Sequence, residues 1–270
     1  MNLNQIPAKG EYGELIRSCF ISKEGYSIVG GDYSGMETRI LAEISEDPLW
    51  LKIYDNNEDL HGVLCASTFN IDIKDVKNKT PFKPDVSYRD IQKIVNFGLA
   101  YGMTEYKLAD SADIPIPKAK AIIQEFFNKV PFVKATLDML GGVAVEFGRS
   151  RTMKPFRRIR WYPEHESAVE EQNDKVLSAI ERAGKNSPIQ GTNGDIIKLA
   201  LWRIQEKIDI EKLDIKILLA VYDEIRTECP DELAEWWKEQ MNIIMIESAQ
   251  YVLKRVPIVV DCKISKVWEK

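Results

Sequence analysis

KILLAVYDEIRTEC, residues 216–229, is two short apolar runs around an acidic pair. Lys216–Tyr222 reads as one strand and Ile225–Cys229 as its partner, so the stretch predicts a hairpin with Asp223 and Glu224 at its tip. A further acid stands in a similar setting far upstream. YSIVGG (26–31) is short and partly β-branched, and predicts a buried strand ending at Asp32. METRILAEI (36–44) then takes helical spacing, with Met36, Ile40 and Ile44 on one stripe, until Asp47–Pro48 breaks the pattern.

Beyond the hairpin, Asp231–Arg255 predicts an amphipathic helix with Leu233, Trp236, Trp237, Met241, Ile244 and Leu253 as candidate core, and Val256–Trp268 a final strand. The middle of the chain is helical in pattern. Residues 77–87 hold two prolines and read as a loop. Helices are expected over Tyr88–Asp110 and from Pro117 to near Val130, where proline suits a first turn. Residues 150–163 predict a hairpin, and 165–186 and 190–208 two long helices. Strands at both ends around a helical middle predict an α+β fold.

The 270 residues suffice to bury a substantial core, and 44% hydrophobic with 29% charged residues is the balance of a soluble globular protein. The first residues have neither the basic start nor the apolar run of a secretory signal, and no stretch has the length of a membrane span. Cys19, Cys65, Cys229 and Cys262 are scattered, which argues against a zinc or redox motif and fits a reducing, intracellular setting. The net charge of −5 argues at first against a nucleic-acid partner, but clustering matters more. RSRTMKPFRRIR (149–160) carries six basic residues and no acid. If all six met phosphates, raising salt to physiological levels would weaken binding roughly a thousandfold.

Two carboxylates from separate strand ends are what phosphoryl transfer to a sugar hydroxyl requires, because two divalent ions about 3.5–4 Å apart neutralise the attacking and leaving oxygens. Without a cation, two such charges 4 Å apart repel by about 4 kcal/mol at an effective dielectric near 20. Taken singly, Asp32 and Asp223 are ordinary turn aspartates.

Together with their neighbours they resemble a family. DYSGMETR (32–39) resembles motif A of the DNA polymerase I family (family A), YRDIQKIVNFGLAYG (88–102) its motif B, and VYDE (221–224) its motif C. NLNQIP (2–7), DLH (59–61) and ERAGKNSPIQG (181–191) match further segments, in the family's order and across nearly the whole chain. The resemblance implies a palm with an antiparallel sheet interrupted by a mostly helical fingers insertion: palm over 1–46, fingers over 47–165, palm again over 166–270.

It also implies roles. Asp32 and Asp223, with the backbone carbonyl of Tyr33, would bind two Mg²⁺ ions, Mn²⁺ being an alternative. Glu224 would support them, and Lys93 is counted with these three among the catalytic groups. Arg89, Lys93, Phe97 and Tyr101 recur every four residues, a spacing that drifts only about 40° per step on a helix. Arg89 and Lys93, with His61, would grip the triphosphate of a dNTP; Phe97 and Tyr101 would flank its sugar and base. Glu37 would fill the space of a ribose 2′-hydroxyl. Arg182, Asn186 and Gln190 share a helical face and would read the minor-groove edge of primer–template DNA. Tyr222, Arg157 and Arg158 complete the expected DNA contacts.

Gly35 stands where many members have glutamine, Thr38 replaces a customary leucine, and Tyr222 a customary histidine. A phenol can still donate a hydrogen bond. Because the chain opens at the 2–7 match, the expectation is a fragment or one half of a split enzyme, without thumb or exonuclease domains. A separate chain would then supply the thumb. The resemblance implies an intracellular, cytoplasmic protein of bacterial or phage type with no membrane partner. Two alternatives stay open: a single-subunit RNA polymerase, against which Glu37 and Phe97 speak, and a noncatalytic DNA-binding or assembly subunit.

Overall fold

The computed structural model of the chain describes residue 6 and residues 11–81, 83–100 and 102–269, without the side chains at 11, 83–85 and 100. Of the match at residues 2–7 only Ile6 is thus described, and Tyr101 lies outside the described residues. Along the chain, α1 (Glu11–Ser18) leads to β1 (Tyr26–Tyr33), α2 (Met36–Ser45), α3 (Pro48–Asp55) and α4 (Leu60–Phe69). A small ladder of β2 (Lys79–Thr80) and β3 (Lys83–Ser87) precedes α5 (Tyr88–Ala100), α6 (Glu105–Ala112), α7 (Ile116–Lys129) and α8 (Pro131–Phe147). A hairpin of β4 (Arg149–Arg151) and β5 (Ile159–Trp161) follows, then α9 (His165–Glu170) and α10 (Asp174–Glu211). The chain ends through β6 (Lys216–Val221), β7 (Glu224–Pro230), α11 (Ala234–Gln250) and β8 (Val260–Ser265). These elements fall into two units: the described residues up to Met36 with Asn193–Lys254 and Ile258 onward, and Glu37–Thr192 with Arg255–Pro257. Among the described residues no helix is long and apolar enough to cross a membrane.

The first unit is organised by a sheet of order β6–β7–β1–β8 in which every neighbouring pair is antiparallel. Register sets Val29 opposite Thr227 and Gly31 opposite Ile225, and the period-two alternation puts these on one face. α11 packs on that face. The Trp237 indole N–H donates to Thr227 Oγ1 at 2.8 Å, the Thr227 hydroxyl donates to the Val29 carbonyl at 3.0 Å, and the Tyr33 hydroxyl donates to the Met245 carbonyl at 2.6 Å. Trp237, Met241 and Met245 are fully buried there, each worth about 1.5–3 kcal/mol or more in removed apolar surface. Gly31 has no side chain because the Met245 sulfur fills the space; a Cβ would lie 2.5 Å from it. Trp236, expected in this core, turns outward and is 36% exposed, because one helix cannot aim consecutive residues at the same sheet.

In the second unit, α5 opens with a reciprocal cap. Ser87 N–H donates to Asp90 Oδ2 at 3.3 Å and Asp90 N–H donates to Ser87 Oγ at 3.1 Å, which satisfies two of the orphan donors at a helix start. Ile91, Val95 and Leu99 form its buried stripe. The single helix expected to Asp110 is two. Gly102 takes a left-handed φ of +69°, which ends a helix at little cost only for glycine, and Thr104 Oγ1 then caps α6. Part of the expected 77–87 loop is strand, with Lys79 opposite Ser87. The two helices expected over 165–208 are instead the short α9 and one continuous α10 with Pro188 inside it. Proline in a helix interior costs about 3 kcal/mol. Here Ser187, Pro188 and Ile189 are all buried, and the Thr192 hydroxyl donates to the Pro188 carbonyl at 2.6 Å, so packing carries the helix through.

Candidate active-site residues

On the face of the sheet away from α11, register sets Gly30 opposite Arg226 and Asp32 opposite Glu224. On its other side Asp32 stands opposite Asp261 of β8. One strand position thus carries carboxylates on three neighbouring strands. Asp223 lies one residue before Glu224, in the turn it forms with Tyr222 between Val221 and Glu224. Its carbonyl accepts the Tyr33 N–H at 3.1 Å. Asp32 and Asp223 are therefore borne by backbone segments hydrogen-bonded to each other, and both are half-buried. Tyr222 holds a left-handed φ of +56° and is 72% exposed. A non-glycine residue pays about 1–2 kcal/mol for that conformation, and its phenol stands out from the hairpin tip.

Glu224 is occupied locally. Its Oε1 accepts from Arg226 Nε and, at 2.9 Å, from the Trp268 indole N–H, while Oε2 lies 4.0 Å from Arg17 Nη1. Arg17 in turn sits over the Trp268 ring at 4.2 Å. Both arginines and the glutamate are about 95% buried. Arg226 reaches this position across Gly30, where a Cβ would come within 2.2 Å of its guanidinium. The paired glycines before Asp32 thus serve two faces at once, Gly30 for Arg226 and Gly31 for Met245. Asp261 and Arg226 escaped sequence reading; each is one charged residue in a strand, and only register joins them to Asp32.

In the second unit, Arg89, Lys93 and Phe97 lie on the outer side of α5, opposite the stripe Ile91–Val95–Leu99. Lys93 Nζ stands 5.8 Å from the Phe97 ring centre. Arg89 makes a forked pair with Asp59, Nε to Oδ2 at 2.5 Å and Nη2 to Oδ1 at 2.7 Å. Burial alone would raise the Asp59 carboxyl, but Arg89 holds it below its usual range. His61, two residues on, has its ring 5.5 Å from that of Phe97, and its Nδ1 accepts from Asn96 Nδ2 at 2.8 Å. Asn96 Oδ1 accepts from Gln92 Nε2 at 2.6 Å, a buried polar ladder that spacing did not reveal. Because an amide nitrogen only donates, His61 is neutral with its proton on Nε2. Burial, aided by Arg89 and Lys93, pushes its pKa down to about 4.

That shift has a sign. Below pH 6.5 an unfolded chain protonates this histidine while the folded chain resists until about pH 4, so its stabilising contribution is full above pH 6.5 and is lost as pH falls toward 4. Between pH 7 and pH 5 the loss is about 2 kcal/mol at 1.36 kcal/mol per pKa unit. Urea unfolding of the wild type should fall by that much more than unfolding of His61→Gln over the same interval. Parallel curves for the two proteins would overturn the assignment.

Arg182 and Gln190 are exposed and Asn186 half-buried along one face of α10. The Arg182 side chain crosses Gly102, where a Cβ would meet its Cγ at 2.9 Å, and a cleft of about 430 Å³ is lined by Gly98, Gly102, Met103, Thr104, Lys107 and Arg182. Gln190 joins Arg158 in a second cleft of about 240 Å³, shared with Arg151, Arg160 and Ser187. Arg157 sits beyond it at the hairpin tip with a left-handed φ of +51°. Glu37 is in the first turn of α2, half-buried. Next to it Thr38 is buried and accepts the Tyr54 hydroxyl at 2.7 Å, which accounts for a hydroxyl where leucine is customary.

The family model "DNA polymerase family A" matches residues 1–270. The chain is 36% identical to DNA polymerase I of Caldicellulosiruptor bescii over 267 residues, 99% of this chain and 29% of that protein. It is 32% identical to the thermostable DNA polymerase I of Thermus aquaticus over 269 residues, 99% of this chain and 30% of that one. It therefore spans less than a third of the length of these relatives. Among solved structures, the POL domain of Pol1 from M. smegmatis, in complex with DNA primer-template and dNTP, superposes with a TM-score of 0.86 at 32% identity, covering 99% of this chain and 44% of that one. The chain belongs to DNA polymerase family A.

Proposed function

We propose that the chain is a DNA-directed DNA polymerase module that transfers a nucleotide from a dNTP to a primer 3′-hydroxyl under template direction. The sheet-bearing unit acts as palm and the helical unit as fingers. The observation that carries this reading is the backbone bond between Tyr33 and Asp223, with Asp32 beside it in register. Family membership supplies the reaction class, and the relatives' names supply the substrate class.

The donors offered at that strand end are two aspartate carboxylates and the Tyr33 carbonyl, all hard oxygen ligands. Mg²⁺ is commonly held by one or two carboxylates together with substrate phosphates rather than by an all-protein cage. Asp32 and Asp223 would hold two Mg²⁺, or Mn²⁺, which when bound supply charge neutralisation for the attacking and leaving oxygens. The primer 3′-oxygen forms a bond to the α-phosphorus as the bond to pyrophosphate breaks.

The chain's own residues bind and orient. Lys93 and Arg89 offer charge to the triphosphate, and His61 offers its Nε2–H as a neutral donor. Phe97 and Tyr101 flank the sugar and base, and Glu37 excludes a 2′-hydroxyl. Glu224, committed to Arg226 and Trp268, acts by fixing the turn that carries Asp223. Arg182, Asn186, Gln190, Tyr222, Arg157 and Arg158 contact primer–template DNA.

The test is Mg²⁺-dependent extension of a labelled primer–template by the chain at low salt. Incorporation of the dNTP complementary to the template, with ribonucleotides at least about a hundredfold slower, is the expected result, since hydroxyl discrimination by a shaped polar site reaches that order. Equal use of both sugars would point to an RNA polymerase, and DNA binding without extension to an assembly subunit.

A further inference from the structure

We propose that the outer face of the β4–β5 hairpin is a stacking platform for unpaired nucleic acid, with Trp161 as its base contact. The idea goes beyond arginine–phosphate contacts and rests on the nucleic-acid reading above for the origin of the strand, a template overhang.

Register pairs Arg149 with Trp161, Ser150 with Arg160 and Arg151 with Ile159. Directly opposed residues share a face, so Arg149, Arg151, Ile159 and Trp161 lie on one side and Ser150 on the other. The Ser150 side is the anchored one. Ser150 is buried and its hydroxyl meets that of Tyr162 at 2.9 Å. The connection between the strands is also pinned: Arg158 N–H donates to Thr152 Oγ1 at 2.9 Å, Met153 N–H to Thr192 Oγ1 at 2.9 Å, and Arg158 Nη2 to the Gly191 carbonyl at 3.0 Å.

The opposite face is unlike an ordinary solvated one. Trp161 is 59% exposed and Ile159 38%, alternating with two guanidinium groups. The Arg149 guanidinium stands 5.3 Å from the Trp161 ring centre, holding the indole from one side by a cation–π contact. Phe156 adds a further exposed ring within the connection.

Charge complementarity selects the occupant. Between 149 and 160 there are six cations and no anion. Glu164, Glu166, Glu170 and Glu171 follow closely in sequence, yet none of the described ion pairs joins them to Arg149, Arg151, Lys154, Arg157 or Arg160. A polyanion with flat apolar faces fits cations interleaved with an exposed indole. A duplex buries its base faces in the stack, so only unpaired nucleotides can use Trp161. Such aromatic–basic surfaces bind single strands with little sequence preference.

The experiment is fluorescence anisotropy with a labelled oligothymidine of about 12 nucleotides, a blunt duplex of equal length and poly-glutamate, across a salt series. Trp161→Ala should weaken oligothymidine binding about tenfold without changing the salt slope, whereas Trp161→Phe should stay within about threefold of wild type. Arg151→Ala should lower the slope by about one. Duplex binding should move less than about twofold in the tryptophan variants. The proposal is overturned if Trp161→Ala binds the single strand like wild type, weakens duplex and single strand alike, or if poly-glutamate displaces the oligonucleotide through the same residue. Extension failing while Trp161-dependent binding persists would sink the polymerase reading alone; extension with no Trp161 effect would sink the platform alone.

Discussion

Asp223→Asn should lower nucleotidyl transfer at least about a thousandfold while the protein stays folded. A thousandfold is about 4 kcal/mol of transition-state stabilisation, the several kcal/mol expected when a ligand that neutralises developing charge is lost. Asparagine keeps the size and the turn conformation of aspartate, and the Asp223 contact to Tyr33 runs through the backbone carbonyl, which the substitution does not touch. What changes is charge. Asp223 stands next to Glu224, and Asp32 stands between Glu224 and Asp261 across the sheet. In urea unfolding, Mg²⁺ should raise the stability of wild type more than that of Asp223→Asn. Asp32→Asn should behave alike. Activity within tenfold of wild type in either variant would remove both carboxylates from the chemistry. Lost activity with lost stability would mean that the residues hold the sheet rather than the substrate.

The strands that carry these acids were legible because each is a short apolar run closed by a turn or an acid. Their adjacency was not, because β1 and β7 are separated by the whole helical unit and nothing local encodes their register. No element was expected where α8, PFVKATLDMLGGVAVEF, lies. Gly141 is there because α8 and α10 cross closely: a Cβ on it would fall 2.8 Å from Glu181 Cγ, and one on Gly184 2.3 Å from that of Ala144. The break expected between 186 and 190 falls at Pro188, whose helical cost is local while the burial that outweighs it is tertiary. On α5 the four-residue spacing located the outward strip, whereas the Asp59 fork on Arg89 and the Asn96–His61 rung of the ladder depend on contacts 30 and 35 residues apart in the chain.

Arg226→Met should cost 3–5 kcal/mol of folding stability (about the range for breaking one side of a buried ion pair), measured by urea unfolding at pH 7. The side chain lies in a groove made by the absence of a Cβ on Gly30, bonded to Glu224 and over 95% buried. Methionine fills similar volume, so a cavity contributes little and the dominant loss is the counter-charge. Glu224 would be left with the Trp268 N–H and an Arg17 guanidinium at 4.0 Å, beyond hydrogen-bond reach. Removing the charge as well should then restore part of the stability: Glu224→Gln in the Arg226→Met background is expected to recover at least about 1 kcal/mol, although the same change alone destabilises by removing the counter-charge of Arg226. Gly30→Ala should act in the same direction by a different route, because a methyl group there would force the guanidinium to shift. A loss under about 1 kcal/mol for Arg226→Met, or additivity in the double variant, would mean that Arg226 packs beside the acids without compensating them. The hairpin tip bearing Asp223 would then owe its position to the Tyr33 backbone bond alone.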